Sequence, residues 1–264
     1  MSWLRTLNVE SFLVFTLVLS RVSGLTMSAP VFGSRDVPMQ VRALLAMAVA
    51  LVIMPTQMHV DFPHPSTTLN YLIFVGGEVL IGLCLGVGVS VLFSGVQLGG
   101  QMMGRMGGLM LADVFDPNSG EQVPVFSRLL FLVAMAVFVA IGGHRLVMAA
   151  LLDTFHAIPP GGGALPEGLT EAFTLLLTQS FHLGVRASLP VVTALLLSTL
   201  VLGLIGRTMP QLNILIVGFG LNAMLTFALL ALTMGAAVWV FQGHIVPTLE
   251  VMTEVLVGGK SGVS

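Results

Sequence analysis

Charge is what this chain has least of: only 8% of its 264 residues are Asp, Glu, Lys or Arg, against roughly 25% in an ordinary soluble domain. With 56% hydrophobic residues and a mean hydropathy of +1.01, a solvated globule is excluded. Apolar surface on this scale is buried against lipid, against partner subunits, or against both. Cysteine is almost missing as well. The lone Cys84 rules out an internal disulfide framework and a cysteine-based metal site, and in its LCLG setting it reads as a packing residue. No basic run exists to track phosphates and the net charge is only -2, so nucleic acid is not an expected partner. The chain carries no H-E-x-x-H, G-x-S-x-G, P-loop or dinucleotide fingerprint. Neither a catalytic residue nor a metal or cofactor is therefore assigned, and DPNSG (116–120) and PPGGG (159–163) read as turns.

What is present are long runs without charge: Ala43 to Val60, Val79 to Gly104, Leu129 to His144, Ala187 to Gly206 and Thr208 to Leu249. A span needs about 20 apolar residues, so these runs, with a weaker segment from Phe12 to Val31, predict an all-α chain of membrane-protein type. Six helices are expected, over 11–31, 43–60, 69–98, 126–152, 172–206 and 212–243. The first is a retained helix and not a secretory signal, because Glu10 precedes it, Arg21 sits within it and no A-x-A site follows. Alternating the spans puts Arg35, Arg42, Arg105, Arg128 and Arg207 on one side, which the positive-inside rule makes cytoplasmic.

Several segments are poor at facing lipid. Pro55 cuts the second helix, Pro190 lies inside the fifth, and Arg21, Glu78 and Arg186 are embedded in apolar stretches. Such defects are tolerated where other protein covers the helix, so they favour a subunit of an assembly. Glu78 needs a partner: an ion pathway, as in a solute transporter, is one reading, and a structural pair with an arginine such as Arg186, or a subunit contact, is the other. His182 and Arg186 lie one turn apart on one face, with no metal or catalytic set around them; His59 and His64 flank a proline-rich loop. Gly82, Gly86, Ser90 and Ser94 recur every four residues, and small residues at that interval let two helix backbones approach closely. Whether the neighbour belongs to this chain or another is not readable.

GGQMMGRMGGLMLADVFDP (99–117) stands apart, with four methionines and five glycines between two apolar stretches. On residue type alone such a segment is most often packed core.

The stretches SRVSGLTMSAPVFGSRDVPMQVRALLAMAVALVIMP (20–55), QMMGRMGGLMLADVFDPNSGEQVPVFSRLL (101–130), GGHRLVMAALLDTFHAIP (142–159) and LPVVTALLLSTLVLGLIGRTMPQLNILIVGFGLN (189–222) resemble the FliR family of flagellar type III export-gate proteins. The most specific part is the R-x-x-P-Q-L-N-I-x-I-V-G-F string from Arg207 to Phe219; Gly220, where members usually place proline, loosens a turn, and Asp113 puts a charge into a usually apolar segment. The resemblance implies a multi-subunit helical gate, built with FliP and FliQ and docked by FlhB, through which unfolded proteins leave the cell. The gate would belong to the inner membrane at the flagellar basal body, partly on its periplasmic side; the equivalent subunit of a virulence-type injectisome is the nearest alternative. Residues 1–165 would be FliP-like, including a plug loop at about 99–120, and 166–264 a FliQ-like helical hairpin. Met102, Met103, Met106, Leu109, Met110, Leu111, Val114 and Phe115 would close the pore as soft apolar side chains able to refill irregular gaps. Gly99, Gly100, Gly104, Gly107 and Gly108 would be its hinge. Glu78, Arg186, Arg207, Pro210, Gln211 and Asn213 would meet neighbouring subunits.

Overall fold

In an apolar environment the backbone must satisfy its own hydrogen bonds, and a helix does so within one segment. The computed structural model describes residues 9–33, 37–58, 66–108, 125–162, 168–209, 211 and 213–258, and among these every regular element is an α-helix. The order is α1 (Val9–Ser28), α2 (Met39–Gln57), α3 (Thr68–Met106), α4 (Val125–Ala140), α5 (Gly143–Ala157), α6 (Leu169–Thr208) and α7 (Ile214–Gly258). Five of them are long and apolar enough to cross a membrane, and a sixth span results if α4 and α5 are taken together.

That pair corrects the continuous helix expected over 126–152. The axis bends by 68° between α4 and α5, and the reason is Gly142, whose φ of +80° only glycine adopts without strain. Pro55, expected to cut α2, is followed by only two more helical residues; without its N–H the ladder cannot continue far. Pro190 and Pro247 sit inside α6 and α7, which run on through them. Gly220, expected in a turn, lies within α7.

The described residues form two compact units, and α3, α6 and α7 contribute to both. In the first (up to Val91, 142–176 and from Val246 on), α1 and α3 run parallel. Tyr71 Oη meets Thr16 Oγ1, Arg21 meets Glu78, and Ser90 Oγ donates to the Ser28 carbonyl. The predicted small-residue face thus finds its neighbour inside the chain. A side chain at Gly82 would collide with the Arg21 carbonyl, one at Gly86 with Ser28 Oγ, and one at Gly24 would lie 2.5 Å from the Val79 carbonyl. Ser94, one turn further, is exposed. Gly82→Val should therefore force α1 from α3 and cost about 3 kcal/mol, seen as a lower unfolding temperature of the purified protein. Gly76→Ala, where nothing lies within 4 Å of the added carbon, is the matched control and should be neutral or stabilising; equal losses at both positions would contradict close packing.

The second unit (92–141 and 177–245) is organised around Phe93 of α3, whose ring lies 5.6, 5.4 and 5.5 Å from those of Phe131, Phe138 and Phe241. These contacts tie α3, α4 and α7 together with the edge-on geometry aromatic pairs prefer. Here α3 runs parallel to α6 with almost no side chain between them: Cβ atoms added at Gly95, Gly99 and Gly184 would strike backbone of the opposing helix. Beyond the end of α3, α6 and α7 pair with each other as an antiparallel hairpin. Ser198 Oγ donates to Asn222 Oδ1 at 2.7 Å, and Leu202 faces Gly218. Its outer faces expose Leu197, Leu200, Leu204, Ile216, Met224 and Phe227.

Candidate functional site

Two places carry more chemistry than packing requires. The first, in the first unit, is built on the two embedded charges of α1 and α3. Arg21 and Glu78 are both 0% exposed and face each other bidentately: Nε donates to Oε2 at 2.6 Å and Nη2 to Oε1 at 3.1 Å. Nη2 also donates to the Ile158 carbonyl at 2.9 Å and Nη1 to Thr154 Oγ1 at 3.3 Å. The Gly161 N–H donates to Glu78 Oε1 at 2.9 Å, and the Phe155 ring lies 4.1 Å from the guanidinium carbon. The pair is thus held at a junction of α1, α3, α5 and the turn after it, with its charges neutralised inside the protein. Two buried charges persist in a dry interior only with such geometry.

Glu78 therefore has the structural ion pair that its burial demanded, but with Arg21 and not Arg186, and no side-chain surface remains for another subunit. Arg186 is exposed on α6. Nothing in the sequence distinguishes the two arginines as partners, because the choice depends on α1 and α3 lying parallel in register. Thr154, Phe155 and Gly161 carry no signal of their own.

The second place, in the second unit, is where α3 ends. Met102, Met103 and Met106 belong to the helix, which runs past the expected limit of residue 98. Met103 is 0% exposed and is core. Met102 is half-buried, with its Sδ accepting from Ser188 Oγ at 3.7 Å, and Met106 is half-buried near the helix terminus. The glycines divide by task. Gly99 lies against Gly184, Gly100 against Ser127 and Gly107 against Thr226, all too close for a side chain, whereas Gly104 leaves ordinary contact distance to Phe126. Gly107 N–H closes the helix on the Met103 carbonyl, and Gly108, at φ +81°, turns the chain out of it, as a left-handed cap does. Leu109, Met110, Leu111, Asp113, Val114 and Phe115 lie outside the described residues, as do His59, His64 and Pro210. At the tip of the hairpin Arg207, Gln211 and Asn213 are exposed. Asn213 is also a helix cap, its Oδ1 accepting from the Ile216 N–H at 3.4 Å.

Apolar helices of spanning length, with their only fully buried ion pair neutralised between them among the described residues, define a membrane-embedded helical protein. Its family follows from comparison with known proteins. Residues 12–247 match the family described as bacterial export proteins, family 1. The flagellar biosynthetic protein FliR of Escherichia coli K12 is 34% identical over 232 residues, covering 88% of this chain and 86% of that protein. FliR of Bacillus subtilis 168 is 30% identical over 254 residues, covering 94% and 96%. The Aquifex aeolicus FliR is 26% identical over 237 residues, or 89% and 91%. The chain belongs to the FliR family of bacterial export proteins.

Proposed function

We propose that this chain is a core subunit of the flagellar type III export gate, assembling with FliP and FliQ into the pore through which unfolded flagellar proteins leave the cell. The observation that carries the reading is the likeness to FliR proteins along nearly the whole chain, 94% of it in the Bacillus subtilis comparison. The role is structural and gating, with no chemical step assigned. The gate sits in the inner membrane at the flagellar basal body, partly on the periplasmic side, with FlhB docked at its base.

Within that reading residues 1–165 are the FliP-like part and 166–264 the FliQ-like part, a division supported by the α6–α7 hairpin. The exposed apolar faces of that hairpin supply surface for neighbouring subunits, and Arg207, Gln211 and Asn213 present polar groups at its tip. The plug is the segment that leaves α3 at Gly108. The glycine-lined end of α3 supports it, since a chain turned out by a left-handed glycine and flanked by soft methionines is suited to enter a narrow lumen and withdraw. The Glu78 carboxylate is engaged by Arg21 and Gly161, which leaves a transporter mechanism through it without a free acid.

Deleting the gene from its own host should abolish filament formation and flagellin export, with both restored by the chain supplied in trans. A deletion strain that swims normally but loses delivery of virulence effectors would assign the chain to an injectisome instead.

A further inference from the structure

The resemblance implies a subunit contact for Arg186, and among the described residues it has no partner. It lies on α6 with Gln179 and His182 on the same helical face, and opposite them α7 brings Trp239, Gln242 and His244. These side chains line two open depressions of about 550 and 420 Å³ that share Arg186 and His244. No acidic residue lines either one. Arg186 and His182 are exposed, and neither makes an ion pair or hydrogen bond among the described residues. His244 Nδ1 donates to the Val240 carbonyl at 2.8 Å. Set in otherwise apolar walls, the Arg186 guanidinium, the His182 imidazole, the amides of Gln179 and Gln242 and the Trp239 indole N–H supply hydrogen-bond donors with no acid beside them, which suits an anion.

The place of this lining along the hairpin identifies the kind of anion. From Ala187 to Gly206 α6 carries no charge, and Arg186 and Arg207 bracket that run. At about 1.5 Å per residue the run measures about 30 Å, the thickness of a bilayer's hydrocarbon core. With that run placed across the bilayer, Arg186 would stand at one edge of the core, where headgroups begin. Trp239, 70% exposed, stands at the same end of the hairpin, as indole rings do at membrane interfaces. Below Arg186, on the same face of α6 and toward Arg207, Leu189, Leu196 and Leu200 form an exposed apolar stripe along which acyl chains can lie.

We propose that the Arg186–His182–His244 depression binds the phosphate of an anionic phospholipid headgroup, with the lipid tails running along the leucine stripe of α6. An arginine fork matches phosphate oxygens bidentately, whereas lysine offers only a point charge. A carboxylate from a neighbouring subunit is the competing occupant. It is disfavoured because the site is open, lies at the end of an apolar run of bilayer thickness and leads directly onto an exposed apolar stripe. The inference rests on the membrane embedding of the hairpin and keeps the stripe of Leu189, Leu196 and Leu200 for lipid, with the other exposed apolar faces left to neighbouring subunits.

The test uses the full chain, with whatever subunits co-purify with it, in nanodiscs of phosphatidylcholine with or without phosphatidylglycerol. Native mass spectrometry counts the lipid retained after detergent ejection. Wild type should retain phosphatidylglycerol in preference to phosphatidylcholine, and Arg186→Gln should weaken that retention on the order of tenfold. Arg186→Lys and His182→Gln should fall between them, and excess inorganic phosphate should not displace the lipid, because it lacks the tails. Equal retention by wild type and Arg186→Gln would overturn the proposal. So would loss of co-purifying subunits from Arg186→Gln, which would make the residue a protein contact, and so would displacement by free phosphate, which would make the site one for a soluble anion.

Discussion

Arg21→Ala and Glu78→Ala should each leave almost no folded chain and no flagellar assembly, the largest effect expected of any single substitution in the protein. Each removes one half of a pair whose charges are 0% exposed, and stranding the other charge in a dry interior costs about 3–5 kcal/mol. The loss is not confined to α1 and α3. Arg21 also holds Thr154 and the Ile158 carbonyl, and Glu78 holds the Gly161 N–H. Arg21→Lys should rescue little, because one ammonium cannot reproduce the fork that meets both carboxylate oxygens. The double variant Arg21→Leu/Glu78→Leu should be less damaged than either single, since replacing both charges removes the desolvation penalty together with the attraction. Motility on soft agar and yield of membrane-extracted protein give the ranking: wild type, then the double leucine, then the singles. Single alanine variants at wild-type yield would mean that the pair contributes no more than surface charge does.

A leak is the expected result of damaging the proposed plug. A hydrophobic constriction holds back ions only while it is too narrow and too apolar for a continuous column of water. Deleting Leu109 to Val114 should therefore raise small-ion permeability of cells carrying the full gate while leaving the gate assembled. Side-chain variants need more care. Met103 is fully buried in the chain's own core, and trimming it to alanine should cost about 2–5 kcal/mol of stability whatever the plug does. Met102 is tied to Ser188. Met106→Ala with Met110→Ala is the cleaner pair: Met106 is half-buried at the helix terminus, and Met110 follows the Gly107–Gly108 exit. Either alone should leak far less, because flexible neighbours refill the gap. A carboxylate inside a dry seal would cost several kcal/mol, so Asp113→Asn should leave the seal tight. Deletion variants that assemble and stay tight would reduce the segment to packing.

Much of this was legible because apolar periodicity and charge spacing act locally. The charge-free runs located every spanning helix but α1, which a weaker apolar segment around Arg21 marked, and the four-residue spacing of Gly82, Gly86 and Ser90 marked a close helix contact. What failed depended on single backbone angles or on distant partners. Gly142 looks like any glycine in GGHR until its φ breaks the fourth span in two. The sixth helix, expected over 212–243, continues to Gly258. Ile245, Leu249, Met252 and Leu256 continue the helical period and are buried, with Glu250 and Glu254 outside. There the pattern changes from all-apolar to amphipathic, and a rule that looks for uncharged runs stops before the helix does. The choice of Arg21 over Arg186 for Glu78 needed the register of α1 against α3, which no local pattern encodes.

The central claim is that this chain works as one subunit of a FliP- and FliQ-type gate, and native mass spectrometry of the three co-expressed proteins from its own host tests it most directly. A single discrete species should appear in which one copy of this chain is bound by several copies of both partners, with little of the chain found free. A monodisperse, protease-resistant monomer or simple dimer of this chain, purified without either partner, would contradict it.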